Sequence, residues 1–140
     1  MPLRSTHPPQ LEHIRVRDCM HPGIHTCEAD ASLSEVAGIM VKHRVHAVAV
    51  TTAGVPRPIG VVSDLDVVAA AAAGEEVIAR HAAATEPLAI SANAPLDRAA
   101  QLMTEHGVSH LVVIDSAGGY PVGIVSTLDI AVVIAGHCEP

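Results

Sequence analysis

The sequence predicts an α/β protein of the α+β type, in which two copies of one unit form a pseudo-twofold pair. The first observation is an internal repeat. Shifting the chain by 63 residues places Leu33 on Leu96 and Asp66 on Asp129, and about thirty-five positions align without a gap. The second observation is that each copy reads strand, helix, strand, strand, helix from the spacing of its apolar residues. The repeat therefore predicts one duplicated fold.

Composition indicates a globular chain with an aliphatic core. Of the 140 residues, 49% are hydrophobic, but there is no Phe or Trp and the single Tyr is Tyr120. A chain of this length buries roughly two-thirds of its unfolded surface on folding. We therefore expect Val, Ile, Leu and Ala to fill the core.

Charge and hydropathy argue against two classes of partner. The formal net charge is −7, and the eight Lys and Arg residues are scattered singly, which does not suit binding to a phosphate backbone. No apolar run reaches the ~18 residues of a membrane span. The first ten residues lack the apolar stretch of a secretion signal. We expect a cytoplasmic protein with no nucleic-acid or membrane partner.

Capping and turn residues place the elements within each copy. Ser32 and Glu35 form an S-x-x-E capping box before the first helix, and Asn93 with Pro95 opens its counterpart, which ends at Gly107. The predicted strands cover residues 24–27, 47–50, 59–62, 88–90, 110–114 and 122–125. A second helix covers 64–73, and the last helix stops at Gly136.

These elements divide the chain into four segments. Residues 1–15 form a flexible N-terminal arm, and residues 16–74 form the first repeat. Residues 75–84 are a linker helix, and residues 85–140 form the second repeat. The arrangement leaves no room for a separate catalytic domain.

A seven-residue signature occurs in both copies where a strand meets a helix. It reads Gly60-Val-Val-Ser63-Asp-Leu-Asp66 in the first copy and Gly123-Ile-Val-Ser126-Thr-Leu-Asp129 in the second. Glycine permits close backbone approach, and serine at a helix N-terminus marks an anion site. The aspartate one turn later would repel phosphate but could accept both hydroxyls of a ribose. The alternative is that Ser-x-x-Asp is only a capping box, so the ligand interpretation requires each aspartate to face a cavity.

With these residues the chain resembles a tandem pair of cystathionine-β-synthase (CBS) domains, called a Bateman module, over about Val16 to Gly136. The resemblance implies two clefts for adenosine-type ligands: AMP, ADP, ATP, NAD or S-adenosylmethionine. It also implies a stand-alone regulatory sensor, not an enzyme, that requires no cofactor, forms a homodimer and signals to an unidentified protein. The ligand-binding residues so implied are Gly60, Val61, Ser63, Asp66, Gly123, Ile124, Ser126, Thr127, Asp129, His46 and His110.

The two clefts are predicted to differ. Thr127 adds a hydroxyl to the second signature, whereas Asp64 adds negative charge at the matching position of the first. The second cleft should therefore prefer phosphorylated ligands, and equal affinity of both clefts for ATP would contradict this. His46 and His110 fall where relatives carry basic residues near phosphates, so affinity should rise as pH falls toward ~6.5.

Other positions depart from the family pattern. Leu65, Leu128 and Ala47 replace side chains that are often basic in relatives, which favours a less anionic adenosine compound or AMP over a polyphosphate. The same departures leave open a second function, a scaffold that has lost ligand binding and serves only to dimerise or dock.

The stretch from Asp18 to Glu28 contains Cys19, His21, His25 and Cys27. Structural zinc sites usually take ligand pairs from separated segments, so metal binding is the third and least favoured interpretation, and no metal ligand is assigned. A Cys–His nucleophile lacks a group to orient it and an oxyanion hole in the sequence.

Overall fold

Two mixed sheets, five α-helices and two short 3-10 helices (Leu11–His13 and Val16–Asp18) make up the described part of the chain, which in this computed structural model is residues 10–55, 57–85 and 88–136. The strands are β1 (His21–Pro22), β2 (Thr26–Glu28), β3 (Ala47–Thr51), β4 (Gly60–Ser63), β5 (Ala84–Thr85), β6 (Ala89–Ser91), β7 (His110–Ile114) and β8 (Pro121–Ser126). The helices are α1 (Leu33–His43), α2 (Asp64–Ala72), α3 (Ala79–Ala82), α4 (Leu96–His106) and α5 (Thr127–Ile134). The predicted mixed fold with two equivalent halves is confirmed.

Each sheet combines strands from both halves. The first sheet has the order β2-β3-β4-β5, and the second has the order β1-β8-β7-β6. In each sheet one pair is parallel, β2 with β3 or β6 with β7, and the other pairs are antiparallel. Thus the short strand that precedes each half closes the sheet of the other half.

The exchange of segments extends beyond the strands. Val16 donates its backbone N–H to Ala94 O in the second half, and 63 residues later Ala79 donates to Ala31 O in the first half. Both Val16 and Ala79 are fully buried. Because these contacts obey the same offset as the sequence repeat, the two halves are related by a pseudo-twofold exchange.

Two aliphatic clusters form the core, one in each half. The cluster of the first half comprises Cys27, Ala29, Ala31, Val36, Met40, Val48, Val50, Val62 and Ala79. The cluster of the second half comprises Ile14, Val16, Ile90, Leu96, Ala99, Met103, Leu111, Val113, Val125, Ile130 and Val133. No aromatic side chain contributes to either set of buried residues, as composition predicts.

The structure corrects three predictions about local elements. Residues 10–15 of the predicted arm pack against the second half, where Leu11 and Ile14 join its core, and residues 1–9 lie outside the described residues. The linker is helical only over Ala79–Ala82. Asn93 does not cap α4, whose N-cap is Pro95, because the Asn93 side chain instead contacts the Arg17 guanidinium and donates to Ser116 Oγ.

No helix within the described ranges is long and apolar enough to cross a membrane.

Candidate functional site: a cleft lined by histidines

A cavity of about 240 Å³ opens between the two halves, beside the second signature. The end of α1 and the loop into β3 form one wall, β1 and the residues after it form another, and β7, β8 and α5 close the third. The residues that line this histidine cleft are His21, Pro22, Gly23, His25, His43, Arg44, Val45, His46, Ala47, His110, Ile124, Ser126 and Asp129. The cleft therefore joins the second signature to a surface supplied mainly by the first half.

The second signature forms a capping box whose carboxylate also faces the cleft. The Ser126 N–H and Oγ lie 2.7 and 3.0 Å from Asp129 Oδ2, and the Asp129 N–H donates to Ser126 Oγ. The other oxygen, Oδ1, lies 3.0 Å from His21 Nδ1. Asp129 is only 6% exposed. One carboxylate oxygen thus caps the helix, and the other contacts the exposed His21 imidazole at the cleft.

The first signature forms the same capping box but does not reach this cleft. Ser63 N–H donates to Asp66 Oδ2 at 2.8 Å, and Asp66 N–H donates to Ser63 Oγ. The remaining N–H groups of that first turn are also paired, Asp64 with His46 O and Leu65 with Asp64 Oδ1. The corresponding N–H groups of the second signature are paired in the same way, Ser126 with Asp129 Oδ2 and Thr127 with Ser109 O, so the pairing of N–H groups does not distinguish the two signatures.

The glycines of the signatures have a structural reason in this fold. A Cβ on Gly123 would lie 2.4 Å from His21 O and 2.9 Å from Met20 Sδ, because β1 pairs with β8 at this residue. Gly60 pairs in the equivalent way with Thr85 of β5. At Gly123, the close backbone approach that the sequence predicts is made by the protein's own exchanged strand β1.

Five imidazoles line the cleft, and several contact one another or a carboxylate. The rings of His25 and His43 stack with centroids 4.0 Å apart and an interplanar angle of 18°. His46 Nδ1 lies 2.9 Å from Asp64 Oδ2, and His110 Nδ1 lies 2.8 Å from the hydroxyl oxygen of the preceding serine. The cluster is a shared polar surface and not a set of isolated side chains.

Burial and neighbouring charge shift the pKa of three groups at this surface. Partial burial lowers the pKa of His110, against the opposing effect of the Asp64 carboxylate. Desolvation, and then the adjacent His25 and Lys42, lower the pKa of His43. The hydrogen bond from His46 lowers the pKa of Asp64. The lowered pKa values favour the neutral form of His43 and His110.

Arg44 occupies an unusual backbone position at the mouth of the cleft. It ends α1 in the left-handed conformation, with φ 54°, and it is the one non-glycine residue with positive φ in the described part of the chain. The equivalent helix α4 ends at Gly107, with φ 64°. A side chain in this conformation costs roughly 1–2 kcal/mol. The first half therefore carries a cation where the fold favours glycine.

The structure brings together only part of the predicted site. His46, His110, Ile124, Ser126 and Asp129 line the histidine cleft. The predicted residues that do not line it are Gly60, Val61, Ser63, Asp66, Gly123 and Thr127. The sequence prediction missed four lining residues with polar side chains: His21, His25, His43 and Arg44. The feature of the sequence that could have identified them is the high number of histidines between residues 21 and 46. The strand exchange brings this segment close to the second signature.

The cysteine and histidine stretch does not form one cluster. Cys27 is buried in the core of the first half, whereas Cys19 packs against the core of the second half. Burial, followed by the neighbouring Glu28 carboxylate, raises the pKa of the Cys27 thiol, which disfavours the reactive thiolate. Across the described residues, no three His, Cys, Asp or Glu side chains are arranged to hold a metal ion.

Comparison with known proteins identifies the repeat. The family model for the CBS domain matches residues 16–73 and 78–136, so the predicted tandem pair is confirmed. No curated protein is significantly similar to the chain.

Solved structures of CBS domain pairs have the same fold. The CBS pair of protein MJ0100, in complex with 5′-methylthioadenosine and S-adenosyl-L-methionine, is 22% identical with a TM-score of 0.79, over 88% of this chain and 97% of that one. The CBS domain protein PAE2072 from Pyrobaculum aerophilum, complexed with AMP, is 27% identical with a TM-score of 0.75, over 88% and 99%. Hypoxic Response Protein I, with two coordinated zinc ions, is 29% identical with a TM-score of 0.68, over 84% and 97%.

Proposed function

Because this chain belongs to the CBS domain family, we propose that it is a regulatory module, not an enzyme. It binds an adenosine-type ligand in the histidine cleft and transmits binding to a partner protein. The observation that carries the proposal is the position of Asp129, a buried carboxylate whose Oδ1 faces the cleft beside Ser126 and contacts the exposed His21 imidazole. Structurally similar CBS proteins that hold AMP or S-adenosylmethionine support the ligand class.

The chemistry of the lining residues suits the parts of a nucleoside phosphate. Asp129 Oδ1 is an acceptor for ribose hydroxyls, which would replace its contact with the exposed His21 imidazole. Val45, Ala47 and Ile124 offer apolar surface to a base. The imidazoles and Arg44 offer donors to a phosphate.

The size of the cavity bears on the ligand. Its volume, about 240 Å³, is below the roughly 300–1,000 Å³ of typical small-molecule sites. His21 and His46 are both about two-thirds exposed, so their side chains can rotate outward on binding. A nucleoside or its monophosphate therefore suits the cleft better than a polyphosphate.

The first signature is not proposed to act in this cleft. Asp129 lines the histidine cleft, as the ligand interpretation requires of each aspartate, whereas Asp66 does not line it. We propose one principal ligand per chain, in the histidine cleft. This agrees in direction with the prediction that the second signature prefers phosphorylated ligands.

A homodimer is proposed from the exposed apolar side chains of α2 and α5, which are equivalent helices in the two halves. Both helices present leucine, valine or isoleucine to solvent: Leu65, Val68, Leu128, Val132 and Ile134. Apolar surface of this kind is typical of association sites. The same surface supports the second candidate function, a scaffold that dimerises without a ligand.

A thermal-shift and calorimetry panel tests the proposal. The ligands are AMP, ADP, ATP, NAD, S-adenosylmethionine and adenosine, with zinc chloride included because the cleft is rich in imidazole. A ligand at a hundred times its Kd should stabilise the protein by ~2.7 kcal/mol. Asp129→Ala should abolish the shift, and Asp66→Ala, the matched control, should retain it.

The panel separates the candidates clearly. No shift with any adenosine compound would overturn the sensor proposal and leave the scaffold, whose dimer would persist in analytical ultracentrifugation. A shift with zinc alone would assign the imidazoles to metal binding. Loss of ligand binding in Asp66→Ala but not in Asp129→Ala would place the ligand in the other half.

A further inference from the structure

We infer that the histidine cleft is a proton-coupled anion site, in which a phosphate-bearing ligand binds together with protons taken up by the imidazoles. The inference rests on the proposed function and adds to it the regulation of the same site. It makes the module respond jointly to the ligand and to pH.

The formal charge of the lining residues leads to this conclusion. With every imidazole neutral, the lining carries one positive charge, Arg44, and one negative charge, Asp129. A phosphate monoester brings a charge of about −1.5 to −2 near neutral pH. Because the lining residues carry no net positive charge, binding of the anion favours protonation of the imidazoles around it.

Charged side chains from three neighbouring helices lie around the imidazoles. They are Lys42 and Arg44 at the end of α1 and just beyond it, Asp64 and Asp66 at the start of α2, and Asp129 in α5. Asp64 already pairs with His46, and Asp129 with His21. The imidazoles without a carboxylate partner are His25, His43 and His110, and of these we assign proton uptake to His43, which stacks on His25, and to His110.

The stacked pair adds a cooperative element. At a centroid distance of 4.0 Å, charge on one ring opposes charge on the other, and the adjacent His25 is one cause of the lowered pKa of His43. A phosphate against the pair offsets that repulsion. Proton binding and anion binding at this pair therefore strengthen each other, as linkage requires.

Arg44 supports the inference independently of the imidazoles. The chain keeps it in a left-handed conformation that glycine adopts at the equivalent end of α4. Among the described residues, no carboxylate lies within ion-pair distance of its guanidinium. A cation held at conformational cost, lining a cleft and without a protein anion, indicates that its counter-charge comes from a ligand.

The test measures proton uptake directly by isothermal titration calorimetry on the full chain. AMP, adenosine and inorganic phosphate are titrated near pH 7 in two buffers of different ionisation enthalpy. For AMP, the buffer dependence should show net uptake of about 0.5–1 proton, and affinity should rise ~3- to 10-fold per pH unit from pH 8 to 7. Over this range the phosphate stays mostly dianionic, since its second pKa is ≈ 6. Adenosine should bind with no uptake.

A double variant, His25→Gln with His43→Gln, should bind AMP more weakly near pH 7 and lose most of the proton uptake. His106→Gln, which changes the equivalent of His43 in the other half, should behave as the parent protein does. Circular dichroism of both variants checks that the fold is retained.

The outcomes separate the two proposals. AMP binding without buffer dependence or pH dependence would overturn the proton coupling and leave the proposed function intact. Adenosine binding with no advantage for AMP would likewise overturn the anion site alone. Inorganic phosphate bound with proton uptake, but no adenosine compound bound, would support the anion site and overturn the proposed function. No binding by any of the three probes would overturn both.

Discussion

The two halves of the molecule share one framework but carry different chemistry at equivalent positions. Both halves have the capping box and a glycine that pairs with an exchanged strand. Both also have a fully buried residue, Val16 or Ala79, that hydrogen-bonds to the opposite half. Around the second signature, polar residues face the cleft where the other half has small or apolar ones. The pairs are His21 with Ala84, His25 with Leu88, Arg44 with Gly107 and His46 with Ser109.

This difference separates what the fold requires from what a ligand requires. The shared features each have a structural partner within the chain, so they are accounted for without any ligand. The fold does not require the residues that differ between the halves, because the other half folds in the same way without them. The asymmetric residues therefore distinguish the surroundings of Asp129 from those of Asp66, which the signature common to both halves cannot do.

The largest expected effect on stability comes from disrupting a feature that both halves share, the pairing of an exchanged strand with a glycine, here β1 with Gly123. Gly123→Ala places a methyl group 2.4 Å from a backbone oxygen of β1, so the strand must shift. Overpacking of this kind costs about 2–3 kcal/mol, and equilibrium unfolding in urea would measure it. Gly38→Ala is the control: it lies within α1 with open space around it, and should stabilise by about 0.5–1 kcal/mol. Similar changes in the free energy of unfolding for the two variants would show that β1 does not restrict the space at Gly123.

The capping aspartates give the next effect and compare the halves directly. Asp129→Ala leaves the Ser126 N–H and hydroxyl without their acceptor at a buried position, which should cost about 2 kcal/mol. Asp66→Ala removes the same box at a less buried position and should cost about 1 kcal/mol. Urea unfolding of both variants measures the difference. A larger loss for Asp66→Ala would reverse the order that burial predicts.

The sequence predicted the framework well because the framework is local and repeated. Helical spacing, the Ser32 cap and the two signatures identify α1, α2 and α5 within one or two residues. It could not predict the exchange of β1 and β5, since strands of two residues carry almost no periodic signal. The site was only partly predicted for the same reason, because the exchange brings His21 and His25 to the second signature.

Arg44 offers a third comparison, in which stability and binding should change in opposite directions. Arg44→Gly relieves the left-handed conformation and should stabilise the protein by about 0.5–1 kcal/mol, less than the full strain because glycine is freer when unfolded. The same change should weaken AMP binding about tenfold by removing a charged donor. Thermal unfolding and calorimetry measure the two effects.

The equivalent position in the other half supplies the control for Arg44. Gly107→Ala places a side chain in the left-handed conformation at φ 64° and should destabilise by about 1 kcal/mol. Its AMP affinity should be unchanged, since Gly107 does not line the histidine cleft. If Arg44→Gly were destabilising, the arginine would have a structural role that its exposed position does not indicate.

The smallest expected effect is the pH dependence of the unliganded protein. Partial burial lowers the pKa of His110 in the folded state, so between that pKa and ~6.5 the unfolded chain binds more protons. The stability associated with His110 is therefore complete above pH ~6.5 and is lost as pH falls below it. Urea midpoints at pH 7.5 and 5.5 measure the loss, which His110→Gln should reduce. Unchanged or greater stability at the lower pH in the parent protein would contradict the assignment. Acidification should thus lower the free energy of unfolding of the unliganded protein. It should also raise the affinity for AMP, because the anion stabilises the protonated imidazoles that burial disfavours.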